Sequence, residues 1–214
     1  MYLTITKDGI DLSPGAEVIL RNQTWSNYET LLESRQDDAA VKIYFDARTQ
    51  EIRLVSPLPK HGKRSDVIAD LVKCLLRHQG RDWEGFHPIT LKRFAQKGLE
   101  PDFCFYIQNR EAILGKEEID LEIDPPPDLA IEVDVTSSTK PQDYNEISVP
   151  ELWIDRQQTL RIYLFDGQNY EESDRSLIFP EVPVKRLIPE YVDRAWNAGS
   201  SVALREFEAS LKSL

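Results

Sequence analysis

The sequence predicts an α/β protein, and three observations carry that prediction. "KRSDVIADLVKCLLRHQG" repeats apolar residues at helical spacing, while "PDFCFYI" and "DLAIEVDVT" alternate as strands do. Segments of the two kinds follow one another along the 214 residues. That length suits one sizeable core. A single domain over residues 1–214 is expected, with its core at about 20–165 and a C-terminal helical segment at 187–214.

In "TWSNYETLLESR", Thr24 is the N-cap and Trp25, Tyr28, Leu31 and Leu32 recur at helical spacing, which predicts a short amphipathic helix. A hairpin follows in "VKIYFDARTQEIRLVSP": Val41, Ile43 and Phe45 alternate, the turn falls at Asp46 to Gln50, and Ile52, Leu54 and Ser56 alternate with Arg53 and Val55. Pro57 and Pro59 end it. A helix over 64–78 places Val67, Ile68, Leu71, Cys74 and Leu75 on one stripe, with Ser65 near its start and Gly80 at its close. Strands are expected around "EGFHPITLKRF" and "PDFCFYI", separated by the turn at Gln96 to Gly98. The acidic loop "GKEEIDLEIDPPP" delivers the chain to the strand "DLAIEVDVT". "PQDYNEIS" then predicts a short helix, and "ELWIDR" with "LRIYLFDG" a hairpin. Two helices split by Gly199 close the chain, the second with Val202, Leu204, Phe207 and Leu211 on one side.

A hydrophobic fraction of 41% and a charged fraction of 29% are those of a folded globular chain. No apolar run approaches the roughly 20 residues of a membrane span, and the start lacks a basic flank followed by an apolar stretch. Cys74 and Cys104 suit reduced core thiols, so the cytoplasm is the expected compartment and no membrane contact is expected. A formal charge of −11 argues against nonspecific nucleic-acid binding. The region 60–97 runs against that balance, with Lys60, Lys63, Arg64, Lys92 and Arg93 as candidate phosphate contacts.

Strand alternation sends Leu129, Ile131, Val133 and Val135 to one side and Ala130, Glu132, Asp134 and Thr136 to the other. In "EPDFCFYI" it likewise gathers Glu100, Asp102, Cys104 and Tyr106 on one face. If the two strands are neighbours, Asp102 and Glu132 stand together and repel. A hard divalent cation relieves that repulsion, and Mg²⁺ takes one or two carboxylates with waters and a substrate phosphate. The competing interpretation is a plain solvated sheet face, against which stand the apolar residues that bracket both acids and the proline-rich loop that feeds the strand.

At these residues the chain resembles the Uma2 family, numerous in cyanobacteria and assigned to the PD-(D/E)xK restriction-endonuclease-like superfamily. "TWSNYETLL", "EIRLVSPLPKH", "LEPDFCFYI", "PPDLAIEVDVTSS", "VPELW" and "IPEYVDRAWNAGSSVALREF" each look like a family segment, in the family's order. The resemblance implies a restriction-endonuclease-like fold, a central mixed β-sheet flanked by α-helices. It implies that Asp102 and Glu132 ligate Mg²⁺ (or Mn²⁺). In the superfamily a lysine often stands two places after the second acid, to orient the attacking water or stabilise phosphate charge. Here that place holds Asp134, so either Asp134 is a further metal ligand or a lysine from elsewhere reaches the site, Lys140 being the candidate. His61 matches a family histidine that would face the scissile phosphate; a surface histidine in a basic turn is the alternative. Glu100 is a secondary candidate to hold metal or lysine. Gly62 and Arg53 occupy positions where relatives often carry acids.

The implied activity is Mg²⁺-dependent DNA endonuclease chemistry, with a homodimer suited to cutting both strands. Two alternatives stay open: a nuclease fold that has lost catalysis and binds DNA or a protein partner, and a metal-dependent hydrolase of a smaller phosphoester.

Overall fold

The computed structural model describes residues 3–6, 9–35, 41–87, 89–135 and 139–212. A hairpin of β1 (Leu3–Thr6) and β2 (Gly9–Leu12) leads to β3 (Glu17–Arg21), helix α1 (Trp25–Arg35) and the antiparallel pair β4 (Lys42–Asp46) and β5 (Glu51–Val55). The long helix α2 (Pro59–His78) follows, then four short strands: β6 (Glu84–Phe86), β7 (Leu91–Arg93), β8 (Lys97–Leu99) and β9 (Phe103–Tyr106). A one-turn helix α3 (Arg110–Ile113) precedes β10 (Leu129–Asp134). The chain closes with β11 (Glu151–Arg156), β12 (Thr159–Phe165), β13 (Tyr170–Ser173), α4 (Val184–Ala198) and α5 (Ser200–Leu211).

Two sheets result. One has the order β13-β12-β11-β10-β9-β6, the other β3-β5-β4-β8-β7. The first is mixed: β10 runs parallel to β11 and antiparallel to β9. Parallel neighbours need a crossover connection, and the described part of the stretch between β10 and β11 includes a 3-10 turn at Pro141–Tyr144.

Alternation decides what each face meets. Phe103, Phe105, Leu129, Ile131 and Val133 point toward α2, α4 and α5, where Ile68, Leu71, Val192 and Phe207 bury them. The opposite face, with Ala130, Leu152 and Ile154, packs on Leu91, Leu99 and Tyr44 of the second sheet. That sheet's outer face, Ile43, Phe45, Ile52 and Leu54, is covered by Tyr28 and Leu31 of α1 together with Ile10 and Leu12. The protein is therefore an α/β layered structure with a central mixed sheet and flanking helices. The second sheet covers the face on which the acids lie.

The structure adjusts several expectations. α2 begins at Pro59 instead of 64, because proline at the first helical position has the right φ and lacks only an N–H that would be unpaired there. Ser65 consequently lies inside the helix and is buried. The expected strand around "EGFHPITLKRF" divides into β6 and β7, which join different sheets. The C-terminal helical segment starts at Val184, and β13 adds an edge strand that weak alternation did not predict. Thr136, Ser213 and Leu214 lie outside the described residues. Among the described residues, no helix is long and apolar enough to cross a membrane.

Candidate active site

In the antiparallel pair of β9 and β10, Phe103 lies opposite Ile131 and Cys104 opposite Ala130. One more step of that register sets Asp102 across from Glu132, and residues directly opposite in such a pair project to the same face. Asp102 is anchored by its backbone: its N–H donates to the Ile131 carbonyl at 3.1 Å, and the Val133 N–H donates to Asp102 Oδ2 at 2.6 Å. Both acids are buried, at 1% and 3% exposure, so the plain solvated face is not what the chain builds.

The cation arrives from the second sheet. Alternation along β4 turns Ile43 and Phe45 outward to α1 and leaves Lys42 and Tyr44 on the inner face. The Lys42 ammonium donates to Asp102 Oδ1, and to the Glu100 carbonyl at 3.1 Å. Burial by itself would lower its pKa; Asp102 and Glu132 outweigh that and hold the ammonium charged. Burial likewise opposes ionisation of Asp102, but Lys42 and His61 hold its carboxyl well below the usual range. His61, in the first turn of α2, stands with Nε2 2.9 Å from Asp102 Oδ2.

Glu132 behaves oppositely. Burial, and then the neighbouring Asp102 charge, push its carboxyl up to about 8, against the pull of Lys42 and a hydrogen bond from Tyr144. That bond runs from the Tyr144 hydroxyl to Glu132 Oε1 at 2.6 Å, and the 3-10 turn exists at the right place to deliver it. Two adjacent carboxyls with pKa values driven apart form one charge-poised unit.

Each acid lines a different opening. Asp102 borders a cavity of about 390 Å³ with Lys42, His61, Gly62, Ser65 and His87. Glu132 borders a cleft of about 270 Å³ with Tyr44, Arg53, Lys97, Lys140 and Tyr144. Arg53 stacks on Tyr44, its guanidinium carbon 4.4 Å from the ring centre.

The remaining sequence-predicted residues disperse. Asp134 accepts from the Thr139 N–H at 3.0 Å, the Thr139 hydroxyl at 2.9 Å and Arg156 Nε at 3.0 Å, so its carboxylate is spent on the start of the crossover. Lys140, the next residue, is exposed and lines the Glu132 cleft. Glu100 serves as a clamp: Arg35 donates to it at 2.7 Å, the Ile43 N–H at 2.8 Å and the Thr90 hydroxyl at 2.6 Å. Arg64 forks onto buried Asp155, with Nη2 3.1 Å from Oδ1. Arg93 donates to the backbone carbonyls of Glu146 and Leu121. Lys92 is exposed and borders a separate cleft with Trp25 and Phe94. Lys60 and Lys63 are exposed beside His61.

Sequence reasoning missed Lys42 and did not assign Tyr144 its bond to Glu132. The available signal for Lys42 was its parity, a lysine facing away from Val41, Ile43 and Phe45. That parity says nothing about a second sheet lying over it.

The family model described as "Uma2: Putative restriction endonuclease" matches residues 25–193, well over half of the chain. The chain belongs to the Uma2 family. No curated protein matches it. Among solved structures, this Uma2 chain is similar to a protein from Anabaena variabilis ATCC 29413 described as a putative nuclease belonging to DUF820. The identity is 18%, with 71% of this chain and 87% of that one covered, at a TM-score of 0.43.

The divalent ion that the resemblance implies is judged by the donors present. Among the described residues, no group of three His, Cys, Asp or Glu side chains is placed to hold a metal ion together. Asp134 does not join Asp102 and Glu132. The remaining pair is still the number of carboxylates that Mg²⁺ commonly takes from protein. Glu132 is a buried acid at the wall of a cleft whose ionisation is resisted by burial and by Asp102, both of which a bound cation would relieve. Glu132 fits the ion, and Asp102, whose oxygens accept from Lys42 and the Val133 N–H, would join it by exchanging the Lys42 ammonium for the cation.

Proposed function

We propose that this Uma2 protein hydrolyses phosphodiester bonds in DNA with a divalent ion, Mg²⁺ or Mn²⁺, held by Asp102 and Glu132. One observation carries the proposal: two buried acids on adjacent strands meet a buried ammonium, that of Lys42, at a point reached from two openings. Membership in a family described as restriction endonucleases supports it. When bound, the metal would polarise the phosphoryl oxygen and lower the pKa of a water.

The chain's own residues have separate tasks in this reading. Tyr144 holds Glu132 in place through its hydroxyl. Lys42, positioned by Asp102 and the Glu100 carbonyl, presents fixed positive charge where phosphate charge develops, the task of the lysine absent from position 134. His61 faces the same site from the Asp102 cavity. Asp134 and Arg156, both bonded to Thr139, anchor the turn that carries Lys140 and Tyr144. Lys140 and Arg53 give the cleft cations for a polynucleotide backbone, against the overall charge of −11. Buried free thiols at Cys74 and Cys104 suit the reducing cytoplasm, and a two-fold dimer would suit cleavage of both strands.

The test is cleavage of supercoiled plasmid in Mg²⁺ or Mn²⁺. Wild type should nick or linearise it, and Asp102→Asn and Glu132→Gln should each slow the reaction roughly 10²-fold or more. Equal cleavage by all three proteins would remove both acids from the reaction. A second reading rests on a specific observation: both Asp102 oxygens already have donors within the chain, which suits a nuclease fold retired to binding. Metal-independent DNA binding without cleavage would select it.

A further inference from the structure

The cleavage reading leaves one surface at the edge of the site unused. Trp196, in the last turns of α4, is 52% exposed, whereas Trp153 is buried and Trp25 and Trp83 are half-buried. Its ring lies beneath two ammonium groups from α2, Lys63 Nζ at 4.8 Å and Lys60 Nζ at 5.8 Å from the ring centre. Lys60 and Lys63 are three residues apart and share one face of α2. His61 and Ser65, four apart, share the neighbouring face, and both contact Asp102. The aromatic and cationic patch and the acid pair therefore flank the same two turns of one helix, whose diameter with side chains is about 10–12 Å.

An exposed indole capped by two lysines, on a chain of net charge −11, matches a specific chemistry. Aromatic rings stack unpaired bases and nearby ammonium groups bind the flanking phosphates. The interior of a duplex cannot use the ring, because its base faces are hidden in the stack.

We infer that Trp196, Lys60 and Lys63 form a docking surface for an unpaired DNA strand, which lays a base on the indole and runs past His61 to the acid pair. The preferred substrate then carries a single-stranded stretch beside the scissile bond. This inference rests on the nucleic-acid reading above and narrows its substrate.

Binding is measured on the full chain in chelator, where cleavage cannot intervene. The probes are a fluorescein-labelled oligo(dT) of about twelve nucleotides, within the span of single-strand sites, and the same strand annealed to its complement. Wild type should bind the single strand more tightly than the duplex, with its tryptophan emission quenched. Trp196→Phe should abolish most of that quench. Trp196→Ala should weaken single-strand binding roughly tenfold while leaving duplex binding unchanged. Lys60→Gln with Lys63→Gln should reduce the salt slope by roughly 1.4. Equal affinity for the two probes, or wild-type single-strand affinity in Trp196→Ala, overturns the inference. If plasmid is still cleaved in that case, the nuclease reading survives alone. If a Trp196-dependent single-strand preference is found without cleavage, the docking surface survives alone.

Discussion

At the scale of single residues, the decisive question is which lysine serves the acid pair. Lys42 is buried on Asp102, whereas Lys140 stands exposed at the cleft. Lys42→Met leaves the Asp102 charge without its ammonium in a buried place and should cost about 3–5 kcal/mol in urea melts as well as abolishing cleavage. Lys140→Ala should leave the melt unchanged and weaken plasmid binding. Glu132 makes a prediction of opposite sign. Its folded pKa near 8 exceeds its ordinary value, so its ionisation opposes folding increasingly as pH rises from about 4.3 toward 8. In chelator, Glu132→Gln should therefore melt at or above wild type at pH 8, the gap closing toward pH 4, although the same variant is expected to cleave slowly. A lower melting temperature for Glu132→Gln at pH 8 would show that the carboxylate stabilises the fold. Tyr28 offers a quieter case: among the described residues its buried hydroxyl has no hydrogen-bond partner, so Tyr28→Phe should raise stability by up to about 1 kcal/mol.

At the scale of elements, helix α1 is seated on the second sheet through a close approach. A Cβ added at Gly98 would lie 2.2 Å from the Tyr28 hydroxyl oxygen and 2.3 Å from a ring carbon of that buried side chain. Gly98→Ala should destabilise by about 1–3 kcal/mol in urea melts, because Tyr28 is held between α1 and the second sheet and cannot withdraw. Most elements were legible in the sequence. The helix at 25–35, the hairpin of β4 and β5, the two acid strands and the paired C-terminal helices all carry periodicity strong enough to read locally. β6, β7 and β8 are three residues each, too short for alternation to identify, and their division between two sheets is decided by partners far along the chain. The same holds within the site: Asp134 has the parity of Glu132, yet Arg156 in register on β11 and Thr139 across the crossover claim its carboxylate.

At the scale of the whole molecule, burial of charged groups sets the response to acid. Asp102, by Lys42 and His61, and Asp46, by Arg48 and Lys97, are held below their ordinary pKa despite burial. Their contribution to stability is complete above the unfolded value of about 3.9 and drains away as pH falls through the lowered folded values. Urea midpoints should accordingly fall between pH 5 and pH 2, more steeply in wild type than in Asp46→Asn. The sequence by itself determined that Glu100 shares a face with Asp102 and Glu132 with Asp134, because alternation along a strand is a local property; that the two faces coincide was decided by the pairing of β9 with β10. Only the tertiary structure decided which cation meets them. Lys42 lies 60 residues from Asp102, on a different sheet, and its approach depends on the packing of two sheets face to face. No spacing along the chain encodes that contact, since it is the apolar burial of the inner faces that presses the lysine against the acids.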